Sequence, residues 1–464
     1  MADVAPVLGR IDQEFARSVA RLQELLRFPS VGVDPAHEAD TKACARWLAD
    51  QLGGLGMDAT VRPTEGMPMV VAHDRSAPEG APHILYYGHY DVQPADPLEL
   101  WESPPFTPVI VEGPRGPRLV ARGAVDDKGQ LMTFIEAFRA WKEVHGALPV
   151  RVTVFLEGEE ESSSKSLEPF LTANRDELRA DVCVISDTGM IDVDKPAITY
   201  MVRGMAYAEV TLRGPSHDLH SGMYGGAAVN PINALCKIVA ELHDAEGRVQ
   251  IPGFYDEVRE VPAAELEAWR NIGFDERAFL AGAGLTVSQG EAGRSVLERV
   301  WSRPTCDLNG IWGGYTGEGG KTIIPSHASA KISCRLVPDQ DPTKVMEGLR
   351  RFFTDRLPPD GRLDFVDMGT GGAIRVPTDS PFLDAAKAAA AEVFGTAPAL
   401  IGCGGSIPVV AAMKRILGLD TLLVGFGLDD DRVHSPNEKF ELICYRRGIE
   451  THAAMLARFA TMTG

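Results

Sequence analysis

Apolar residues follow one rhythm up to about residue 206, a second from there to about 376, and the first again to the end. Ile11, Phe15, Val19, Leu22, Leu25 and Leu26 recur at helical spacing and predict a helix over 10–27, stopped by Pro29. Cys44, Trp47, Leu48 and Leu52 predict a second over 38–53, closed by Gly53-Gly54. Strands are expected near 58–62 and 69–73. Then comes Ile84-Leu-Tyr-Tyr87, four consecutive apolar residues between turn signals, as in a strand covered on both faces. A helix over 129–145 presents Leu131, Phe134, Ile135, Phe138 and Trp141, and Val150 to Leu156 and Asp181 to Ser186 read as further strands. After 380 the same style returns, with a helix from Pro381 to Phe394, a strand from Thr421 to Phe426 and a closing helix over 441–461. Apolar strands alternating with helices predict an α/β fold, a mostly parallel sheet between helices.

From 206 the strands alternate strictly, with one polar face, in Ala206-Tyr-Ala-Glu-Val-Thr-Leu-Arg-Gly and again in Ala328 to Val337. A helix capped by Asn230 and begun by Pro231 ends by Gly247, another runs near 342–356, and a strand lies near 362–368. Residues 250–300 are helix-rich and charged. The resulting strand-helix-strand-strand-helix-strand order predicts a small α+β unit with helices on one face of an antiparallel sheet. Residues 1–206 and 377–464 are thus read as one domain, with 207–376 inserted into it.

Composition narrows the field. At 464 residues the chain exceeds one compact core, which favours two domains. A net charge of −19 argues against nucleic acid and against an anionic membrane as partners. The start Met1-Ala-Asp-Val-Ala-Pro lacks the basic and apolar regions of a leader, and no stretch of about eighteen apolar residues follows, so a cytoplasmic location is expected. The seven cysteines are scattered without a CxxC pair, which suits a reducing compartment and excludes a thiolate zinc finger.

The chemistry lies where the apolar strands end. His89-Tyr-Asp91 closes one strand, Glu157-Gly-Glu-Glu-Glu161 another and Asp187 a third; Asp126 precedes a helix, and His434 follows the last strand. Alone, each is an ordinary strand-end or loop residue. Together they are segments that an open parallel sheet delivers to one crevice outside its carboxyl edge. Two histidines with three carboxylates are the nitrogen and oxygen donors expected for Zn²⁺, Mn²⁺ or Co²⁺. Three carboxylates plus one hydroxide balance two such ions, as in a two-metal hydrolase.

The series His89-x-Asp91, Gly123-x-x-Asp-Asp-Lys-Gly129, Glu160-Glu161-Ser, Ser186-Asp187, Asp218-Leu-His-Ser-Gly222, Arg335-Leu-Val-Pro338, Gly404-Gly-Ser-Ile-Pro408 and His434-Ser-Pro-Asn-Glu-Lys439 resembles the M20 family of co-catalytic metallopeptidases, and within it the carnosinase-like and cytosolic nonspecific dipeptidases. The resemblance implies a zinc-peptidase-like catalytic domain interrupted by a lid domain that also makes a homodimer. Carried over by position, it assigns His89, Asp126 and Asp187 to one metal and Asp126, Glu161 and His434 to the other, with Asp126 bridging. Glu160 becomes the general base, moving a proton from the attacking water to the leaving amine; spacing alone also allows Glu159 as base and Glu160 as ligand. Asp91 orients His89. His220 is implied to reach the partner subunit's active site and polarise the oxyanion. Arg335 clamps the substrate's terminal carboxylate, and Asn309, Gly405 and Ser406 position the substrate. His217 is read as structural.

One departure bears on substrate. The animal dipeptidases of this family place an acidic residue just before the Gly-Gly-Ser-Ile-Pro loop, and here that position is Cys403. A neutral thiol cannot pair with an ammonium. The expected activity is hydrolysis of dipeptides or short peptides with a free carboxylate; the alternatives are deacylation of N-acyl amino acids and a non-catalytic binding protein on the same fold.

Overall fold

The computed structural model describes residues 3–462; the outermost residues of the predicted catalytic domain, 1–2 and 463–464, lie outside them. The chain divides into two compact units. One comprises Met1–Tyr200, Val376–Ile401 and Ala412–Gly464, and the other Met201–Arg375 with Gly402–Ala411. The expected boundaries, 207 and 376, leave the segment 402–411 with the flanking domain. It groups instead with the central unit, because Cys403 O and Gly404 O accept hydrogen bonds from Arg203, at 3.3 and 2.9 Å.

The first unit is built on a sheet ordered Asp58–Arg62, Met69–Asp74, Arg151–Glu157, His83–His89, Val182–Ile185, Thr421–Leu423, Ala197–Val202. Its four middle strands, from Arg151–Glu157 to Thr421–Leu423, are mutually parallel, while the outer pairings are antiparallel. The four-residue apolar run in His83–His89 is buried on both faces. On one side Tyr86 packs its ring on Phe134, Phe138 and His452, from the helices Lys128–His145 and Leu442–Phe459. On the other, Tyr87 meets Phe155, which stacks on Phe170 of the helix Leu167–Ala173. The helix Ala5–Leu26 joins the first layer through the inward residues that the sequence pattern predicts. Lys128 is buried and anchors that helix's end by donating to Phe28 O at 2.7 Å.

Two features depart from the sequence reading. The strand expected to run from Thr421 to Phe426 ends at Leu423, because Gly425 passes so close to Thr188 that a Cβ there would lie 2.0 Å from its carbonyl oxygen. The segment 109–120, left without elements by the pattern, forms the strands Val109–Gly113 and Gly116–Val120, and Lys439–Glu441 pairs with the second of these. This small antiparallel sheet ties the segment following His434 to the strand that leads into Asp126.

The second unit is a four-stranded antiparallel sheet ordered Thr305–Gly313, His327–Leu336, Gly204–Arg213, Arg362–Gly371. Alternation decides its faces. Ala206, Ala208, Val210, Leu212, Ile332 and Cys334 are buried in one core with Leu235 and Ile238 of the helix Pro231–Ala240 and with Leu349 and Phe352 of Pro342–Thr354. Asn230 caps the former helix, its Oδ1 accepting from Ile232 N at 3.0 Å. That helix stops at Ala240, before Gly247, and the chain then makes a bridge between His243 and Val249.

Candidate metal centre

The carboxyl ends of the parallel strands converge on one cluster. His89, the last residue of its strand, is wholly buried, and its Nε2 lies 3.2 Å from Asp126 Oδ1 and 3.8 Å from Asp187 Oδ2. The other oxygen of Asp126 lies 3.0 Å from His434 Nε2, which is also 3.0 Å from Glu161 Oε1. Two groups result, His89–Asp126–Asp187 and Asp126–Glu161–His434; in each, the ligand atoms all lie within 4.8 Å of one another, and Asp126 belongs to both. The structure thus brings together all five residues expected as ligands.

Neighbouring residues fix each of these side chains. His89 Nδ1 donates to the Asp91 carbonyl oxygen at 3.1 Å, with the Asp91 carboxylate farther off at 3.5 Å. That carboxylate accepts instead from the backbone N–H groups of Glu160 and Glu161, at 3.2 and 3.0 Å. Asp91 therefore orients His89 chiefly through its backbone and holds the glutamate loop with its side chain. Gln93 Nε2 donates to Glu161 Oε2 at 2.8 Å, leaving Oε1 toward His434. Glu159 points elsewhere, accepting from Met67 N and Ser166 N at 3.0 and 2.9 Å, so it braces the loop and leaves Glu160 as the carboxylate beside Glu161.

Sequence reasoning missed one residue that ties the site together. Glu438 is wholly buried and accepts four hydrogen bonds of 2.8–3.1 Å, from Arg122 Nη1 and from the N–H groups of Gly123, Val125 and Asp126. It stands four residues after His434, so one carboxylate locks the Asp126 loop to the His434 loop. Its place in the His434-to-Lys439 motif was the available signal. His434 itself is half exposed with a left-handed φ of 59°. Its loop is fixed by Asp431, which accepts from Leu428 N at 2.7 Å and Lys439 Nζ at 2.5 Å, and by Asn437, which accepts from Glu102 N at 2.8 Å.

Proton affinities show what the cluster demands. Hydrogen bonds to Asp126 and Glu161 push His434 up to about 10. Burial lowers the proton affinity of His89, but hydrogen bonds to Asp126 and Asp91 outweigh it and leave it well above the usual imidazole range. Burial raises Asp126 too, yet the hydrogen bonds from His434 and His89 hold it below the carboxylate range. Burial, followed by the neighbouring carboxylates Asp126 and Asp127, pushes Asp187 well up, and burial with Glu161 and Asp126 takes Glu160 to about 8. A buried cluster that binds protons this strongly is short of positive charge. Its imidazole and carboxylate donors fit divalent ions of the zinc and manganese type.

A pH dependence follows. Folded, His434 keeps its proton to about pH 10, against 6.5 for the ordinary residue, so its stabilising contribution is complete below 6.5 and is lost as pH rises toward 10. Glu160, raised from 4.5 to about 8, acts in the same direction. Chelator-stripped protein is expected to lose melting temperature steadily over that window, and metal-loaded protein much less, because bound cations replace the protons. Calorimetry with and without chelator reads the difference; a stripped protein that melts higher at the alkaline end would contradict it.

The remaining candidates belong to the second unit. Arg335 is half-buried on the open face of the sheet and donates from Nη1 to Ser406 Oγ at 3.0 Å, with Gly405 exposed beside it. His220 is exposed, its Nδ1 accepting from Gly222 N at 3.1 Å, and Asn309 is exposed on Thr305–Gly313 next to a bulge. His217 is likewise exposed and contacts Ser216 Oγ.

Histidines and carboxylates gathered in two metal-sized groups at the carboxyl edge of a parallel sheet define a metal-dependent hydrolase, and comparison with known proteins gives the family. Residues 85–458 match the profile of peptidase family M20/M25/M40, and the chain belongs to that family. The Cys-Gly metallodipeptidase dug1 of Schizosaccharomyces pombe is 31% identical over 467 residues, covering 98% of each chain. The human Beta-Ala-His dipeptidase is 30% identical, covering 97% of this chain and 88% of its own. The solved structure of the di-peptidase Dug1p from Saccharomyces cerevisiae superposes with a TM-score of 0.86 at 28% identity, covering 100% of this chain and 99% of the other. Among the described residues, no helix is long and apolar enough to cross a membrane.

Proposed function

We propose that this hydrolase cleaves the peptide bond of dipeptides or short peptides that carry a free terminal carboxylate, using two divalent ions of the Zn²⁺, Mn²⁺ or Co²⁺ kind. The observation that carries this reading is Asp126, whose two oxygens face two different histidines at 3.2 and 3.0 Å. The three similar proteins named above, all dipeptidases by name, support the substrate class. When bound, the ions polarise the scissile carbonyl and acidify a water. His89, Asp126 and Asp187 would hold one ion, and Asp126, Glu161 and His434 the other. Glu160, its backbone pinned by Asp91, takes the proton of the attacking water and returns it to the leaving amine. Arg335 holds the substrate's carboxylate through its guanidinium fork, while Asn309, Gly405 and Ser406 position the peptide.

His220 acts across a homodimer on the developing oxyanion. Support for that partner comes from the second unit's exposed side chains, Met223 and Tyr224 near His220 and Ile311 and Trp312 on the outer strand. A cytoplasmic location is supported by seven cysteines among which no disulfide forms.

One observation favours a second reading. Cys403, at the position expected to meet a substrate amine, lies by the Arg203 guanidinium, and that positive charge repels an ammonium. An N-acyl amino acid avoids the conflict. A dipeptide and its N-acetyl analogue, assayed side by side with Mn²⁺ or Zn²⁺, separate the two. The free dipeptide is expected to have the larger kcat/KM, and faster cleavage of the acylated compound would make deacylation the activity.

A further inference from the structure

Arg335 has no carboxylate within ion-pair distance among the described residues; the contact made by its fork is the hydroxyl of Ser406. A guanidinium left to a single neutral acceptor keeps donors for an anion but is poorly fixed by itself. What fixes it is the turn that carries Ser406, and that turn is held by a second arginine.

Arg203 is nearly buried, at 8% exposure, just before the strand Gly204–Arg213, whose next residue Met205 is paired with Arg335. Its Nε donates to Gly404 O at 2.9 Å, its backbone N–H to Cys403 O at 3.3 Å, and its Nη1 to Arg299 O at 3.4 Å. All three acceptors are neutral carbonyls, so the charge of Arg203 has no ion-pair partner among the described residues, and it feels the Arg335 charge and, more weakly, the opposite charge of Asp307. Burial, and then the Arg335 charge, lower the proton affinity of Arg203 to about 10, still fully charged at neutral pH. Gly404 fits this contact closely: a Cβ there would sit 3.1 Å from Val300 O and 3.2 Å from Arg203 Nη2. A side chain at 404 would therefore crowd the guanidinium and press it away from its present place.

We propose that Arg203 is a positioning residue of the carboxylate subsite: it clamps the Gly404–Ser406 turn so that Ser406 aligns the Arg335 fork, and adds a second positive charge that the substrate never touches. This rests on the reading of Arg335 as the carboxylate clamp. It assigns Arg203 to substrate binding and not to the bond-breaking step.

The test compares a dipeptide with its C-terminal amide in the metal-loaded enzyme. Arg203→Lys keeps a charge and the backbone bond to Cys403 O, but a single ammonium cannot replace the fork that joins Gly404 O and Arg299 O. It is expected to raise KM for the free acid about 10-fold, the scale of a lost charge-assisted hydrogen bond, with kcat and the KM of the amide within about 2-fold of wild type. Gly404→Ala, which crowds the guanidinium without removing it, should give an acid-selective rise in the same direction and serves if Arg203→Lys fails to fold. Acid and amide affected alike, or neither affected, would overturn the proposal, since a merely structural arginine does not discriminate between them. Arg335→Met separates the two levels. If it leaves the acid-to-amide ratio unchanged, the clamp reading falls and the proposal with it; if it changes the ratio and the Arg203 and Gly404 variants do not, the proposal alone falls.

Discussion

Glu160→Gln is expected to lower kcat by about 10²–10⁴-fold, the range for loss of a general base, while both metal ions stay bound. The carboxylate sits beside Glu161, the proposed ligand, on a loop held by two N–H bonds to Asp91, and its surroundings favour the protonated form, raising it to about 8. A carboxylate in such a place accepts a proton readily and must then release it to the leaving amine. Glutamine keeps the shape and the backbone bonds but cannot take the proton. Steady-state kinetics paired with metal analysis by mass spectrometry reads both halves. An unchanged kcat would remove Glu160 from the mechanism, and loss of a metal with the activity would make it a ligand, the alternative register that spacing allows and that the bonds of Glu159 to Met67 and Ser166 disfavour.

Asp126→Asn should be as damaging by a different route. The side chain keeps its size, and its backbone stays bonded to Glu438, so the loop is expected to keep its course. An amide, however, presents one acceptor oxygen and an NH₂, and cannot bridge two cations. Equilibrium dialysis should find at most one ion per chain where wild type holds two, with activity lost. The His434 imidazole should also lose the acceptor that most raises its proton affinity, and fall from about 10 toward its ordinary value. Retention of two ions would mean that Asp126 does not bridge.

The parts of the fold legible in the sequence are those where one physical cause acts alone. Ile84 to Tyr87 reads as a two-sided strand because both its faces meet helices, and the alternating residues 206–212 read as one-sided because only one face does. The metal-sized groups were legible because metal ligands need particular atoms, and His89, Asp126, Asp187, Glu161 and His434 stand where strands and loops deliver them. Glu438 was not read, because a carboxylate that accepts backbone N–H groups from a loop some 300 residues away leaves no periodic trace. The small sheet joining Lys439–Glu441 to Gly116–Val120 was missed for the same reason: its partners are short and far apart in the chain. The strand after Thr421 was read too long because the apolar run continues to Phe426, while the approach of Gly425 to Thr188 that ends it depends on a neighbouring segment. Cys403 drew notice as a departure from relatives, but the charge of Arg203 beside it, which bears on the choice between amine and acyl substrates, became visible only in three dimensions.

The central claim is that one carboxylate, Asp126, is shared by two cations. Anomalous diffraction from crystals of the metal-loaded protein, collected at the absorption edge of the added metal, tests it directly. Two peaks about 3.5–4 Å apart, one by His89 and Asp187 and the other by Glu161 and His434, with the Asp126 carboxylate between them, are the predicted result; a single peak, or two peaks without Asp126 between them, would contradict it.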